Sequence, residues 1–334
     1  FKTKAFAFVL ISIIFLIVYS TRETPVLTYS GDIMGTYYKV SINSGSNRDF
    51  HPQIKIVLEK VNQEMSTYIK DSLISQFNRH PANTWFEVSD SFMDVFSKSI
   101  EICNLSNGYF DVTVGKVVDA WGFGPLTETE TPDSREMEDA LSHISCNAVI
   151  QDKNDNYLKK INPVSLDFSA IAKGYAVDEL AILLLSDLTV KGFMIDVGGE
   201  LQINGQKHKN LPWSVGISHP YKIGLPIYKV PTEKLNNFAM ATSGDYRNFR
   251  EIDGNFVTHT IDLKQGKPRP LLTTSVSVIR ETAIEADALA TALNAMGSKK
   301  GLGFANKNNI SAIFVSREEE KFKLEFSNNF KNQV

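Results

Sequence analysis

Two polar side chains interrupt a stretch rich in Ala and Leu, "AIEADALATALNAMG". Asp287 and Thr291 are four residues apart, so a helix over 283–296 places them on the same face. A carboxylate and a hydroxyl arranged in this way suit a hard cation such as Mg²⁺, which takes further ligands from water and phosphates. In the alternative interpretation, Asp287 caps the helix and Thr291 hydrogen-bonds back to the helix backbone. The pair predicts either a magnesium site or two local helix contacts.

A second candidate site is the stretch "SLDFSAIAKGYAVDEL", which leads into an apolar, helix-like run. Asp167 or Ser169 could cap the free N–H groups of the first turn, with Gly174 easing helix packing. The alternative is an anion site, because the helix N-terminus and the ammonium of Lys173 together attract negative charge. The residues of this stretch leave both interpretations open.

Two further segments contain residues suited to chemistry or close approach. The stretch "THTIDLKQGKP" brings His259 and Asp262 near Gly266, although a lone histidine is more often structural. The stretch "MIDVGGELQING" has a pair of glycines within a strand-like run. Such a pair indicates either close approach of a ligand or backbone, or a bulge.

The composition of the whole chain is that of a globular protein. Its 334 residues can form one large domain or two ordinary ones, and 43% of them are hydrophobic. The net charge of −3 gives no general reason to expect nucleic-acid binding. Any phosphate binding must therefore come from local features.

The N-terminus differs from the rest of the chain. Lys2 and Lys4 precede an uncharged, almost entirely apolar stretch of fifteen residues, 5–19, which is shorter than a full membrane span. We interpret residues 1–20 as a signal peptide, or alternatively as an uncleaved membrane anchor, followed by a linker over 21–30. Both interpretations place the folded part beyond a membrane.

The two cysteines, Cys103 and Cys146, do not form a disulfide framework by number or spacing. They could pair in an exported protein, but the sequence favours two buried free thiols. The chain has no CxxC, HExxH or clustered His/Cys motif, so a zinc site is not expected.

The elements that must position these residues follow from periodicity and turn signals. We predict a strand over "SGDIMGTYYKVSI" and a hairpin with arms "MATSGDYRNF" and "THTIDLKQGKP". Strand-like and helical runs together predict an α+β fold: one intertwined domain over 31–330, with a mixed or antiparallel sheet and flanking helices. The main predicted helices cover 52–69, 90–106, 171–187, 283–296 and 298–306.

Several motifs occur in an order that resembles the ApbE family of flavin transferases. They are "MGTYYKV", "MSTY…DSLISQFN", "GYFDVTVGKVVDAWGFG", "LDFSAIAKGYAVD", "IDVGGEL", "ATSGDYRN", "HTIDLKQGKP" and "EADALATAL". The resemblance runs from about Gly31 to about Phe326. It implies an FAD:protein FMN transferase that uses Mg²⁺ to cleave FAD, attaches FMN to a threonine of a partner protein and releases AMP.

The resemblance also implies site residues. Ala170, through its carbonyl oxygen, would hold the metal with Asp287 and Thr291, and His259 would act on the acceptor hydroxyl as acid or base. Aromatic side chains could sandwich the flavin ring, although ordinary core packing is the alternative for at least one of them. The residues expected to line the FAD pocket are Met34, Tyr68, Tyr109, Phe110, Asp111, Asp167, Lys173 and Ile261.

Some positions depart from the family pattern. Leu263 and Gln265 differ from the family's Ile-Asp-Pro-x-Thr-Gly, and Ala290 replaces a second Asp of some members, which puts a second metal ion in doubt. No Cys directly follows the apolar segment, so lipid anchoring is not expected. The expected acceptors are exported or membrane proteins, such as subunits of redox complexes, and the expected location is the periplasm or the outer face of the inner membrane. The alternatives are an FAD pyrophosphatase and a flavin-binding protein without chemistry.

Overall fold

This computed structural model describes residues 26–125, 132–152, 155–222, 224–235, 237–244, 249–252, 255–258, 261–263, 266–268, 273–318 and 321–334. His259, the predicted acid/base residue, lies outside these ranges, as does the N-terminal segment 1–25. Within the described ranges, no helix is both long enough and apolar enough to cross a bilayer.

The described helices flank a set of short and long strands. The helices are α1 His51–Met65, α2 Leu73–Arg79, α3 Asp90–Leu105, α4 Gly115–Ala120, α5 Ser134–His143, α6 Ala172–Leu185, α7 Ala283–Met296, α8 Ser298–Lys307 and α9 Asn328–Gln333. The strands are β1 Val26–Ile33, β2 Thr36–Ser44, β3 Trp85–Glu87, β4 Val149–Gln151, β5 Tyr157–Lys160, β6 Val190–Val197, β7 Glu200–Gly205, β8 Val215–Ser218, β9 Pro226–Val230, β10 Phe238–Gly244, β11 Phe249–Ile252, β12 Asn255–Thr258, β13 Ile261–Asp262, β14 Lys267–Pro268, β15 Thr273–Arg280, β16 Ser311–Glu318 and β17 Lys321–Phe326.

The central sheet has eight strands in the order β1-β2-β6-β7-β10-β15-β16-β17, and each neighbouring pair is antiparallel. Side chains alternate between its faces. In β10, Ala239 and Ala241 point into the large core beneath the helices, whereas Phe238 and Met240 point into a second core on the other face. Both faces of the sheet are therefore covered, which confirms the predicted α+β class.

The helix α7 lies almost entirely within the large core. Its alanines favour helix and are small enough to pack closely against β10, β15 and α6. Gly174 of α6 permits the close approach, since a Cβ there would lie 2.8 Å from Cα of Ile284. The prediction that Gly174 serves helix packing is consistent with this geometry.

Three details of the predicted layout are wrong. The predicted strand "SGDIMGTYYKVSI" is a hairpin of β1 and β2, because Met34 and Gly35 both adopt positive φ (51° and 70°) and form its turn. Since β1 begins at Val26, part of the predicted linker is strand. Among the described residues of the predicted arms at 240–249 and 258–268, the arms pair with each other only at Phe249 and Thr258, where β11 meets β12. The strand β10 pairs instead with β7 and β15.

Candidate functional site

One cavity of about 1120 Å³ gathers the predicted site residues. It opens beside the hairpin turn of β1–β2 and extends to the N-terminal half of α6 and to α7. All of the predicted flavin and metal residues that lie in the described ranges line it: Met34, Tyr68, Tyr109, Phe110, Asp111, Asp167, Ala170, Lys173, Ile261, Asp287 and Thr291.

Asp287 joins the two helices that form one end of the cavity. Its side chain is buried, and its Oδ2 accepts a hydrogen bond of 3.0 Å from the Gly174 amide in the first turn of α6. Burial raises the pKa of Asp287, while Lys173 and the Gly174 amide oppose the rise. The alternative that Asp287 caps its own helix is therefore wrong: the helix whose first turn it caps is α6.

The start of α7 is capped by a residue that the sequence did not single out. The Asp178 carboxylate accepts hydrogen bonds of 2.7 and 2.9 Å from the amides of Ala283 and Ile284. Burial raises the pKa of Asp178 to about 6, and these two amides hold it down. Each of the two helices thus supplies a cap for the first turn of the other.

The predicted caps of α6 take other partners. Asp167 Oδ1 accepts a hydrogen bond of 2.7 Å from the Ser169 amide, before α6 begins. The N-cap residue of α6 is Ile171, whose side chain makes no capping hydrogen bond. The Asp167 amide donates to the Val112 carbonyl at 2.8 Å. Asp167 therefore fixes the loop that leads into α6 and ties it to the neighbouring wall of the cavity.

Lys173 reaches the cavity, but its ammonium group is engaged by the protein. Its Nζ donates to the Ser169 carbonyl at 3.0 Å and lies 3.6 Å from Glu200 Oε1 and 4.0 Å from Asp287 Oδ2. Burial lowers the pKa of Lys173, but the two carboxylates outweigh burial and raise it overall. The ammonium group is thus held charged between two acidic side chains.

Glu200 is a site residue that sequence reasoning missed. It is 4% exposed, and its Oε2 has no hydrogen-bond partner among the described residues. Burial raises the pKa of Glu200 to about 8, against the effect of Lys173. The signal was the glycine pair in "DVGGEL": Gly198 and Gly199 have φ of 64° and 104° and form the β6–β7 turn, which places Glu200 at the cavity.

An aromatic wall faces this acidic end. Asn107 and Gly108, at φ of 54° and 75°, turn the chain after α3 towards the cavity. Phe110 is buried in the large core, so the core-packing alternative holds for this ring. Tyr68 is 67% exposed and its hydroxyl donates to the Phe123 carbonyl at 2.8 Å, which leaves its ring at the cavity wall.

Asp111 follows Phe110 in sequence and lines the same cavity. Its Oδ1 accepts from the amide and the hydroxyl of Thr113 at 2.9 and 2.8 Å. Burial raises the pKa of Asp111, and these two hydrogen bonds oppose the rise. The side chain is therefore fixed rather than free to rotate.

Cys103 and Cys146 form a disulfide, so the prediction of free thiols is wrong. The bond joins the end of α3 to the segment before β4, and its sulfur atoms lie within 4.8 Å of an Asp111 carboxylate oxygen and of each other. Because both sulfurs are bonded to each other, this cluster is not a metal site. The disulfide instead braces the chain next to Asp111.

Ile261 lines the cavity from a small cluster with Val117, Trp121 and Met137. The Trp121 indole donates to the Gly266 carbonyl at 3.0 Å, and the Gly266 amide donates to the Asp262 carbonyl at 2.8 Å. These contacts hold the described part of this segment, and with it Ile261, at the cavity.

Comparison with known proteins agrees with this architecture. Residues 34–314 match the ApbE family. A FAD:protein FMN transferase of Haemophilus influenzae is 35% identical over 320 residues, covering 93% of this chain and 92% of the relative. The solved flavin transferase ApbE of Vibrio cholerae is 32% identical with a TM-score of 0.81, covering 93% of this chain and all of that one. The apo form of the flavinyl transferase ApbE of Pseudomonas stutzeri is 30% identical with a TM-score of 0.83, covering 94% of this chain and 98% of that one.

The fold and the cavity define an α+β protein with a large cavity between an aromatic wall and a buried acidic cluster. The chain belongs to the ApbE family. The family resemblance predicted from the sequence motifs is confirmed.

Proposed function

We propose that this ApbE-family chain is an FAD:protein FMN transferase that depends on Mg²⁺, attaches FMN to a threonine hydroxyl of a partner protein and releases AMP. The observation that carries the proposal is that one cavity is lined both by the predicted flavin residues within the described ranges and by the Asp287–Thr291 pair. A pocket of about 1120 Å³ is large enough for a dinucleotide.

The residues at the acidic end suit a divalent cation. Asp287 and Glu200 are both buried, one ammonium group lies between them, and Glu200 Oε2 has no hydrogen-bond partner in the described part of the chain. Two buried carboxylates beside one ammonium group are costly to ionise together unless a proton or a second cation joins them, and burial accordingly raises the pKa of Glu200 in the metal-free chain. Asp287, Thr291 and the Ala170 carbonyl would hold Mg²⁺, which supplies neutralisation of charge on phosphate oxygens when bound.

The chain's own groups have separate tasks in the proposed transfer. The wall with Tyr68 and Tyr109 would bind the flavin ring, and the fixed Asp111 and Asp167 would orient the nucleotide. A bond forms between the threonine oxygen and the FMN phosphorus as the pyrophosphate bond to AMP breaks. The threonine proton passes to His259, since a hydroxyl is a weak nucleophile without a nearby base.

We also propose that the folded part acts outside the inner membrane, in the periplasm or tethered to the membrane's outer face. The basic residues and apolar segment at 2–19 support export. The Cys103–Cys146 disulfide supports an oxidising compartment. The acceptors would then be exported or membrane proteins, such as subunits of redox complexes.

The test uses the purified chain, FAD and a candidate exported redox subunit, with Mg²⁺ or with a chelator. We expect AMP release and a mass increase of one FMN on the acceptor, both lost with the chelator and with a Thr→Val acceptor. AMP release without acceptor labelling would favour FAD hydrolysis. FAD binding without AMP release would favour a flavin carrier.

A further inference from the structure

The Lys173 ammonium group lies between two buried carboxylates that belong to different parts of the fold. Glu200 comes from the first residue of β7 and Asp287 from the middle of α7. The Nζ atom is closer to Glu200 Oε1, at 3.6 Å, than to Asp287 Oδ2, at 4.0 Å. Lys173 is therefore shared, with the balance towards Glu200.

The two carboxylates differ in what else they contact. Asp287 Oδ2 also accepts the Gly174 amide, and Thr291 lies one turn further along the same helix. Glu200 has no second partner for Oε2 among the described residues, and its backbone is set by the tight Gly198-Gly199 turn. Glu200 can therefore give its Oε1 to the ammonium group without losing another contact, whereas the oxygens of Asp287 are needed by α6 and by any bound cation.

An ammonium group and a divalent cation compete for the same carboxylate. At separations of about 4 Å in a partly buried site, repulsion between two like charges is strong enough to weaken binding by roughly tenfold or more. If Lys173 had only Asp287 as its partner, it would neutralise the ligand and repel the ion. A second carboxylate on the far side of the ammonium group removes this conflict.

We propose that Glu200 is a positioning residue that draws the Lys173 ammonium group away from Asp287 and so leaves Asp287 available to Mg²⁺. The inference rests on the proposed function in assuming that Mg²⁺ binds at Asp287. Its consequence is that Glu200 affects Mg²⁺ affinity through Lys173 rather than by touching the ion.

The experiment is a double-mutant cycle on the full chain at about pH 9, where Glu200 is ionised even without the metal, with Mg²⁺ affinity measured by isothermal titration without FAD. Glu200→Gln should weaken Mg²⁺ binding by roughly tenfold or more, because Lys173 then pairs with Asp287 alone. Lys173→Met should leave binding as tight or tighter. In the Lys173→Met background, Glu200→Gln should change the affinity by less than about threefold.

The cycle separates this inference from a direct effect of Glu200. An equal loss of Mg²⁺ affinity in both backgrounds would mean that Glu200 acts on the ion itself, and it would overturn the inference. Unchanged affinity in Glu200→Gln, or weaker binding in Lys173→Met, would also overturn it. Weaker Mg²⁺ binding in Lys173→Met would overturn the inference even if Glu200→Gln does not fold.

Two controls distinguish a failure of the proposed Mg²⁺ site from a failure of the inference about Glu200. Asp287→Asn should lose the Mg²⁺ signal, which identifies the site that is being titrated. If the unaltered chain binds no Mg²⁺, the metal dependence in the proposed function fails and the inference fails with it. If the unaltered chain binds Mg²⁺ at Asp287 but the cycle shows no coupling, the inference alone fails.

Discussion

Asp287 of α7 accepts a hydrogen bond from the Gly174 amide of α6 at 3.0 Å, so the predicted metal ligand also holds the first turn of the neighbouring helix. In return, Asp178 of α6 accepts from the first two amides of α7. Because each helix caps the other, the two helices cannot shift separately at the cavity. The position of the acidic end is thus determined by the helix pair and not by a loop.

Replacement of Gly174 by Ala should destabilise the fold. The new Cβ would lie 2.8 Å from Ile284 Cα and closer still to the Ala283 carbonyl oxygen, so the two helix backbones would have to separate. Such overpacking costs about 1–3 kcal/mol, to be measured by urea unfolding. Gly303→Ala in α8 is the matched control, because a Cβ there meets nothing within 4 Å. The control should be neutral or stabilising by up to about 1 kcal/mol. Equal effects of the two changes would contradict the packing argument.

Two substitutions at Asp287 should separate its two roles. Asp287→Asn keeps an oxygen that can accept from the Gly174 amide but removes the charge, so we expect FMN transfer to be lost with little change in melting temperature. Asp287→Ala removes both and should also lower stability by about 1–3 kcal/mol. Transfer is measured by AMP release, and unfolding by circular dichroism. Normal transfer by Asp287→Asn at ordinary Mg²⁺ concentrations would rule out the metal assignment.

Local sequence signals predicted most of the helical framework. Helical spacing located α3 within the predicted range 90–106, and the predicted helix over 283–296 coincides with α7. These signals are reliable because the helix propensity and the apolar spacing of a segment can be read from three or four turns of its own sequence. The cavity residues were found because the family motifs are contiguous in sequence.

Contacts between distant segments could not be predicted in this way. Cys103 and Cys146 are 43 residues apart in sequence. Nothing in the sequence around either cysteine indicates that α3 ends beside residue 146. Glu200 lies in a strand-like run whose glycines were noticed, but its burial depends on Lys173 and Asp287 from other elements. The partners of β10 also depend on sheet order, which alternating hydrophobicity does not encode.

Loss of the disulfide should lower stability. A cross-link over a separation of 43 residues restricts the unfolded chain, and removal of such a bond costs about 2–5 kcal/mol. We expect Cys103→Ala/Cys146→Ala, or the reduced wild-type chain, to unfold at lower urea concentration. Thiol titration should find two thiols only after reduction under denaturing conditions. Two reactive thiols in the chain purified without reductant would contradict the observed bond.

His259 gives a prediction that depends on its proposed role alone. His259→Ala should slow FMN transfer by roughly 10²–10⁴-fold, the usual contribution of a positioned acid or base. FAD affinity should change little, because the proposed contact is with the acceptor hydroxyl. Fluorescence titration of FAD and single-turnover labelling of the acceptor measure the two effects. Weaker FAD binding with unchanged transfer at saturation would assign His259 to binding instead.

The Glu200 carboxyl should make the metal-free chain less stable as the pH rises. Burial raises its pKa from 4.5 to about 8 against the neighbouring Lys173, with Asp287 and Asp196 adding to the rise. Below pH 4.5 both the folded and the unfolded chain hold this proton, so the contribution to stability is complete there. Between about pH 5 and 8 the unfolded chain has released the proton and the folded chain keeps it, so stability falls by up to about 1.4 kcal/mol per pH unit. Urea unfolding in EDTA across this range should give a steeper decline for the wild-type chain than for Glu200→Gln, which cannot ionise. Parallel curves for the two proteins would mean that Glu200 titrates normally in the folded chain.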